Sequence, residues 1–380
     1  MLIEKLSSDI DIVAHLKALD VDGGGVKILA DKAKLHIIHI KDLHVGAANI
    51  LKQDALSIGA DLAVPRGTVV GAAKRVDCLL IGTSKHLATL AKKELAQPFG
   101  LKDLAKQLDA YVRVKSLCKR EIMGIINAND DSFFSESRFK SNSAIEKIEQ
   151  MIADGASIID IGGVSSAPNS ELVDADEELA RVKDICDLVV EKKLFEKARF
   201  SIDSYAPEVI EYALKSGFSI VNDITGLHND RVCELCAKYD ATAIIMHMQG
   251  TPQTMQLNPH YENILSEIYD FFEERITKAE SFGVKEIVLD VGIGFGKSLD
   301  DNLYLLKNMQ HFATLGKALL VGASRKSLID KIAPAPVQER LAGTLTLHQE
   351  ALRQGAAILR VHDVKEHTQM LQVYEALERV

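Results

Sequence analysis

Cysteine is scarce. Five residues in a chain of 380 (Cys78, Cys118, Cys186, Cys233 and Cys236) are too few, and odd in number, for a disulfide framework. A reducing, cytoplasmic setting is therefore the expectation. Cys233 and Cys236 form a C-x-x-C, but no second C-x-x-C or spaced histidine pair follows to complete a zinc site. They read as two small buried residues one helical turn apart. No basic tract is present and the formal net charge is −9, which argues against a nucleic-acid or membrane-surface binder. No apolar run approaches the ~20 residues of a membrane-spanning helix. The opening segment carries Glu4, Asp9 and Asp11 and does not read as a signal peptide.

What is present is ordinary globular composition: 47% hydrophobic and 26% charged residues, enough apolar side chain to bury a core. Residues 1–115 read as a small α/β unit. Strands are expected over 34–40, 60–65 and 76–82, and amphipathic helices over 45–59, 85–96 and 101–110. Gly23-Gly24-Gly25 lacks the lysine and spacing of a phosphate loop and is expected to be a flexible turn. His36 and His39 would point to opposite faces of a strand, so with His44 they read as scattered residues and not a metal site. No site is expected in this unit.

From residue 118 the pattern changes. Short apolar strands alternate with amphipathic helices, the strands falling at 121–127, 157–163, 199–204, 219–226, 242–248, 286–292, 318–324 and 357–363. Helical patterns lie at 143–154, 174–192, 206–216, 229–239, 261–282, 300–311, 326–331 with 337–354, and 364–378. Eight such units fit a (β/α)8 barrel, a TIM barrel of ~250 residues, over residues 116–380. An open doubly wound sheet would want a glycine-rich dinucleotide turn after its first strand, and none is there.

Nearly every one of these strands is apolar until its C-terminal end, where a polar residue appears. The ends carry Asn127, Ser165 and Ser166, Asp203 and Ser204, Asn222 and Asp223, His247, Asp290, Ser324-Arg325-Lys326, and Arg360 with His362 and Asp363. In a barrel these ends share one rim, where active sites sit. Single polar residues at strand ends are usually caps, but caps are mainly Ser, Thr, Asp and Asn; this series also holds Lys, Arg and His. Asp203, Asn222 and Asp290 offer acceptors suited to a planar N–H/NH₂ edge. Lys326, Arg360 and His362, cationic or able to become so, suit an anionic or phosphorylated group. Asn127 can ligate a hard cation. Gly292, Gly294 and Gly296 allow close backbone approach to a flat ligand. Together they describe a polar heterocycle with an anionic leaving group. His247 reads as support for its strand, Asp223 and Asp363 as loop holders, Arg325 as a structural ion-pair partner.

Nine stretches resemble dihydropteroate synthase, of the pterin-binding barrel superfamily. They are IMGIINANDDSF (122–133), GASIIDIGGVSSAP (155–168), SIDS (201–204), VNDITG (221–226), MHMQGTPQTMQ (246–256), LDVGIGFGK (289–297), GASRKSLI (322–329), ERLAGTL (339–345) and RVHD (360–363). The resemblance implies that the chain joins 4-aminobenzoate to a dihydropterin bearing a hydroxymethyl diphosphate, releasing diphosphate by its early loss. Asp203, Asn222, Asp290 and Lys326 would hold the pterin ring. Arg360 would stack on it and, with His362, Asn127 and Ser166, receive the diphosphate. Mg²⁺ would bridge that diphosphate with Asn127 as its protein contact, and 4-aminobenzoate would lie near Phe133, Pro168 and Ser327. Asp203, Lys326, Arg360 and His362 would carry catalysis. The resemblance also implies a homodimer and inhibition by sulfonamides.

The chain departs from the family's G-G-E-S-T-R-P loop, reading Gly162-Gly163-Val164-Ser165-Ser166-Ala167-Pro168. Ala167 replaces the arginine, with Arg138 and Arg325 as candidates to stand in for it. A pterin-binding methyltransferase acting with a corrinoid would share the pterin acceptors but would need no diphosphate subsite such as Ser324–Ser327 with Arg360–Asp363. A binding paralogue without turnover is the remaining alternative.

Overall fold

The computed structural model describes residues 1–379 except 9, 114–118, 129–136, 165–172 and 256, and of residues 137–141 the backbone alone. The chain divides into two compact units, Met1–Lys115 together with Tyr374–Val380, and Ser116–Val373. The boundary near 115 coincides with the change in sequence pattern; the assignment of the last seven residues to the first unit does not follow from it.

The first unit contains α1 (Ile12–Ala18), α2 (Gly23–Ala33), β1 (Leu35–His44), α3 (Val45–Ile58), β2 (Asp61–Ala63), β3 (Arg75–Thr83), α4 (Ser84–Lys93) and α5 (Leu101–Arg113). Its strands form an antiparallel sheet in the order β1-β3-β2. The core gathers Leu51 and Ala55 of α3, Leu80 of β3, Leu87 and Leu90 of α4, and Leu101 and Leu108 of α5. Strand β1 outruns its expected end at residue 40, reaching His44 through an irregularity between Ile40 and Leu43. The three glycines are not a flexible turn. They open α2, because the Asp22 side chain accepts the Gly24 N–H at 2.9 Å and caps the helix. His36 bonds Ser84 (2.8 Å) and His39 faces Asp77 (3.8 Å), so the histidines do not converge.

The second unit is the barrel. Its elements are β4 (Glu121–Asn127), α6 (Ser137–Ala153), β5 (Ile158–Gly162), α7 (Ala175–Glu191), β6 (Arg199–Asp203), α8 (Pro207–Lys215), β7 (Ile220–Asp223), α9 (Asp230–Lys238) and β8 (Thr242–Met246). There follow α10 (Ile264–Ser281), β9 (Ile287–Asp290), α11 (Leu299–Asn308), β10 (Ala318–Val321), α12 (Ser327–Ile332), α13 (Leu341–Arg353), β11 (Ile358–Val361) and α14 (Val364–Leu377), which from Tyr374 onward falls to the first unit. Strands β4 to β11 pair in parallel with their chain neighbours, and β11 closes on β4. Cys233 and Cys236 are fully buried on α9, as their spacing implied.

The barrel interior explains where polar residues can stand. Met123, Ile158, Ile220, Ile244, Val288, Leu320 and Ile358, one from each of seven strands, form one apolar cluster. Alternate residues of a strand share a side. Asp160, Asn222, Met246, Asp290 and Arg360 each sit two residues beyond one of these plug residues and so face the same interior, roughly 6–7 Å nearer the C-terminal rim. The lower layer fills the barrel; the upper layer, Met246 apart, is polar.

Candidate active site

Arg360 is the hub of the upper layer. From β11 its Nε donates to Asp160 Oδ2 on β5 and its Nη2 to Asp203 Oδ2 on β6, both at 2.6 Å. Asp160 is fully buried and accepts a second bond at the same oxygen, from Asn222 Nδ2 at 3.1 Å. Its other oxygen is buried with no hydrogen-bond partner among the described residues. Two carboxylates hold the guanidinium charged and raise its pKa further above the ordinary arginine range, against the cost of burial. Burial pushes the Asp203 carboxyl up to about 7; Arg360 pulls against it, and the carboxylates of Asp160, Glu178 and Asp223 add to the rise.

Opposite charge also meets at β9 and β10. Asp290 is buried and accepts the Gly292 N–H at 2.8 Å. Burial raises its pKa, while the Lys326 ammonium draws it down. Lys326 follows β10, bonds the Ile293 carbonyl, and places its Nζ 4.3 Å from the centre of the Phe295 ring. Burial brings this ammonium down to about 8, with Asp290 and Asp203 raising it and Arg360 lowering it.

The glycine-rich segment after β9 packs on the segment after β8. Gly292 takes φ +66°, and a Cβ there would fall 2.0 Å from the His247 carbonyl oxygen; at Gly296, φ +61°, it would fall 2.5 Å from that of Gln249. Neither position has room for a side chain. Lys297, 2% exposed, closes this junction by donating to the carbonyls of Phe295 (2.8 Å) and His247 (3.2 Å), with His247 Nδ1 at 3.1 Å. His247 thus supports its strand end, as expected.

His362 is not a cation here. Burial and the charges of Arg360 and Arg325 push its pKa to about 4, and its Nδ1 lies 2.9 Å from Ser324 Oγ, which also accepts the His362 backbone N–H. The side chain is thus a neutral hydrogen-bonding group near neutral pH. Arg325 is likewise committed: Nε donates to Asp363 at 2.9 Å and Nη2 to its other oxygen. It is a structural partner of Asp363. Asp223 serves its loop, accepting N–H groups of Thr225 and Leu227.

Asn127 ends β4, half-buried, beside Gly162 of β5. Ser327 is exposed at the first position of α12, a helix of only six residues, so its dipole is small. Phe133, Ser166, Ala167 and Pro168 lie outside the described residues, as does the side chain of Arg138. The fold therefore brings Asp203, Asn222, Asp290, Lys326 and Arg360 into one polar layer with His362 beside it. It adds two residues that the strand ends did not reveal, Asp160 and Lys297. The signal for Asp160 was an aspartate inside the otherwise apolar Ile-Ile-Asp-Ile; for Lys297, the lysine that closes Gly-Phe-Gly-Lys.

This arrangement has known counterparts. The family model for pterin binding enzymes matches residues 123–362. The chain belongs to the pterin-binding enzyme family. Among curated proteins, the bifunctional dihydropteroate synthase/dihydropteroate reductase of Helicobacter pylori is 42% identical over 342 residues, 90% of each chain. The dihydropteroate synthase of Haemophilus influenzae is 39% identical over 259 residues, 67% of this chain and 93% of its own. Among solved structures, dihydropteroate synthase from Thermus thermophilus in complex with 4-aminobenzoate superimposes with a TM-score of 0.61. It is 35% identical and covers 68% of this chain and 95% of its own. Within the family, these relatives place the chain among the dihydropteroate synthases, which are transferases.

Proposed function

We infer that the chain joins (7,8-dihydropterin-6-yl)methyl diphosphate to 4-aminobenzoate, giving 7,8-dihydropteroate and diphosphate in folate biosynthesis. The observation that carries this reading is the polar layer above the barrel plug: Asp203, Asn222 and Asp290 as acceptors beside Lys326 and Arg360 as cations. A pterin presents a flat edge of N–H and NH₂ donors, which carboxylates match well. Asn222 is already oriented, because one of its amide hydrogens goes to Asp160. Asp203 and Asp290 add negative charge where a pterin methylene would become cationic as its bond to diphosphate breaks. The amine of 4-aminobenzoate then attacks that carbon and releases a proton. Arg360 and a neutral, donating His362 face the departing diphosphate; such fixed donors are usually the largest catalytic term. No side-chain nucleophile is required.

Mg²⁺ belongs to this reading. Among the described residues no group of three or more His, Cys, Asp and Glu could hold a metal. Mg²⁺ typically keeps waters and takes phosphate oxygens with one or two protein ligands. Asn127 offers a neutral, hard amide oxygen for it, while Ser166 would meet the diphosphate and Phe133, Pro168 and Ser327 the 4-aminobenzoate. The ion would neutralise charge on the leaving diphosphate. A homodimer in the cytoplasm completes the proposal; the few cysteines support the compartment.

Purified protein given dihydropterin diphosphate, 4-aminobenzoate and Mg²⁺ should release one diphosphate per dihydropteroate. Tight pterin binding without product would instead support a binding paralogue. Chelation should abolish turnover and added Mg²⁺ restore it. Sedimentation should give twice the chain mass.

A second activity is favoured by one observation. The match to the Helicobacter pylori protein spans more residues than Ser116–Val373 contains, so it takes in part of the first unit. That relative also reduces dihydropteroate. Supplying this chain with dihydropteroate and a reduced nicotinamide should yield tetrahydropteroate; no product with any hydride donor would exclude the reductase.

A further inference from the structure

Behind the rim, two histidines lie wholly buried and outside the motifs: His348 on α13 and His367 on α14. Their four ring nitrogens are all engaged. The Ala323 N–H points to His348 Nε2 at 3.0 Å, His348 Nδ1 and His367 Nε2 lie 2.8 Å apart, and His367 Nδ1 is 2.6 Å from the Asp363 carbonyl oxygen. A carbonyl can only accept, so His367 carries its proton on Nδ1. Its Nε2 must then accept from His348 Nδ1–H, which leaves His348 Nε2 to accept the Ala323 N–H. One polarity satisfies every atom, and both rings are neutral. A proton added to either ring would turn an acceptor into a donor and orphan one bond. Burial opposes that proton and pushes both rings below the ordinary histidine range. The groups facing them divide in sign: His367, Lys326 and His362 act on His348, and Asp363 and Glu366 on His367. With no ring nitrogen left over, the pair cannot hold a metal or pass a proton to substrate.

The ends of this chain of bonds are informative. It starts at Ala323, the residue before Ser324, and finishes at Asp363, the residue after His362. Ser324 and His362 bond each other directly, so the relay closes a ring around the junction of two strand ends. Helix α13 gives a second support one turn earlier, where Thr344 Oγ1 accepts the Arg325 N–H at 3.0 Å. Arg325 needs such support, because it holds a left-handed φ of +57° that a side chain disfavours. The next residue is Lys326.

We propose that His348 and His367 are positioning residues, a neutral two-ring relay that fixes the loop carrying Ser324 and Lys326 against the strand end carrying Arg360 and His362. The proposal rests on the reading that these residues hold the pterin and its diphosphate. Removing one ring leaves a buried donor unsatisfied and loosens the diphosphate end, while 4-aminobenzoate is less affected.

The test is steady-state kinetics on the full chain with His348→Ala, His367→Ala and His348→Gln. For the alanine variants, the KM for dihydropterin diphosphate and the inhibition constant of inorganic diphosphate should each rise about fivefold or more, the lower end of the cost of an unsatisfied buried donor. The KM for 4-aminobenzoate should change much less. Glutamine at 348 can offer an amide oxygen where Nε2 stood and should recover much of the loss. Folded alanine variants with unchanged diphosphate constants would overturn the relay. Should those variants fail to fold, nitrogen-15 NMR of the wild-type imidazoles decides: both rings are expected neutral and protonated on Nδ1, and any other state of either ring at neutral pH overturns it. A wild-type chain that makes no dihydropteroate would refute the function; an active one indifferent to these changes would refute the relay alone.

Discussion

Asp160 and Arg360 are joined by a 2.6 Å hydrogen-bonded ion pair between strands separated by one intervening strand, although they stand 200 positions apart in the chain. Asp160 also orients Asn222, so one carboxylate sets two of the groups assigned to the pterin. Asp160→Ala would leave the guanidinium with Asp203 alone. Breaking a buried pair from one side typically costs roughly 3–5 kcal/mol, so urea unfolding should show a loss of that size, with a raised KM for dihydropterin diphosphate. A loss under about 1 kcal/mol, at the level of an exposed ion pair, would mean that Asp160 is not the anchor.

Asp203→Ala and Lys326→Ala remove single electrostatic contacts with the reacting pterin. Each should lower kcat by roughly 10²–10³-fold, the usual effect of deleting one such group. Thermal unfolding of the variants separates this from misfolding. Near-normal turnover in either would remove that residue from the machinery.

The titrations of Asp203 and Lys326 bound the working pH. Asp203, with its carboxyl raised to about 7, gains a proton as pH falls through that value and ceases to be a charged acceptor. Lys326, lowered to about 8, loses its proton as pH rises through that value. The profile of kcat/KM for dihydropterin diphosphate should therefore be a narrow bell, since this parameter reports the free enzyme. His362 is already neutral throughout the range and adds no limb. Lys326→Arg should push the alkaline limb upward; a flat profile from pH ~6 to ~9 would contradict both assignments.

Sulfonamides imitate 4-aminobenzoate. They should inhibit competitively with it. Inhibition competitive with the pterin substrate instead would show that Ser327 and its neighbours are not the aminobenzoate end.

Much of this was legible in the sequence because barrel strands are short apolar runs and their polar ends face one rim. Asp203, Asn222, Asp290, Lys326 and Arg360 stood out for that reason. Asp160 did not, because it lies inside a strand; only the alternation of β5, with Ile158 in the plug two residues earlier, shows that it faces inward. His348 and His367 were invisible for another reason. On a helix a buried histidine occupies the same periodic position as a leucine, and its partners here are 25 and 19 residues away in the chain. The glycine triplet looks like a turn in sequence because the cap that makes it helical is a single side-chain bond from Asp22.

Arg360 already occupies Asp203 with its own guanidinium. A ligand whose amidine-like hydrogens take over that oxygen enters by exchange, replacing an internal tenant. Its measured affinity is then a difference between two attachments. The evicted group stays tethered through Nε to Asp160, close to where a second anion could recruit it.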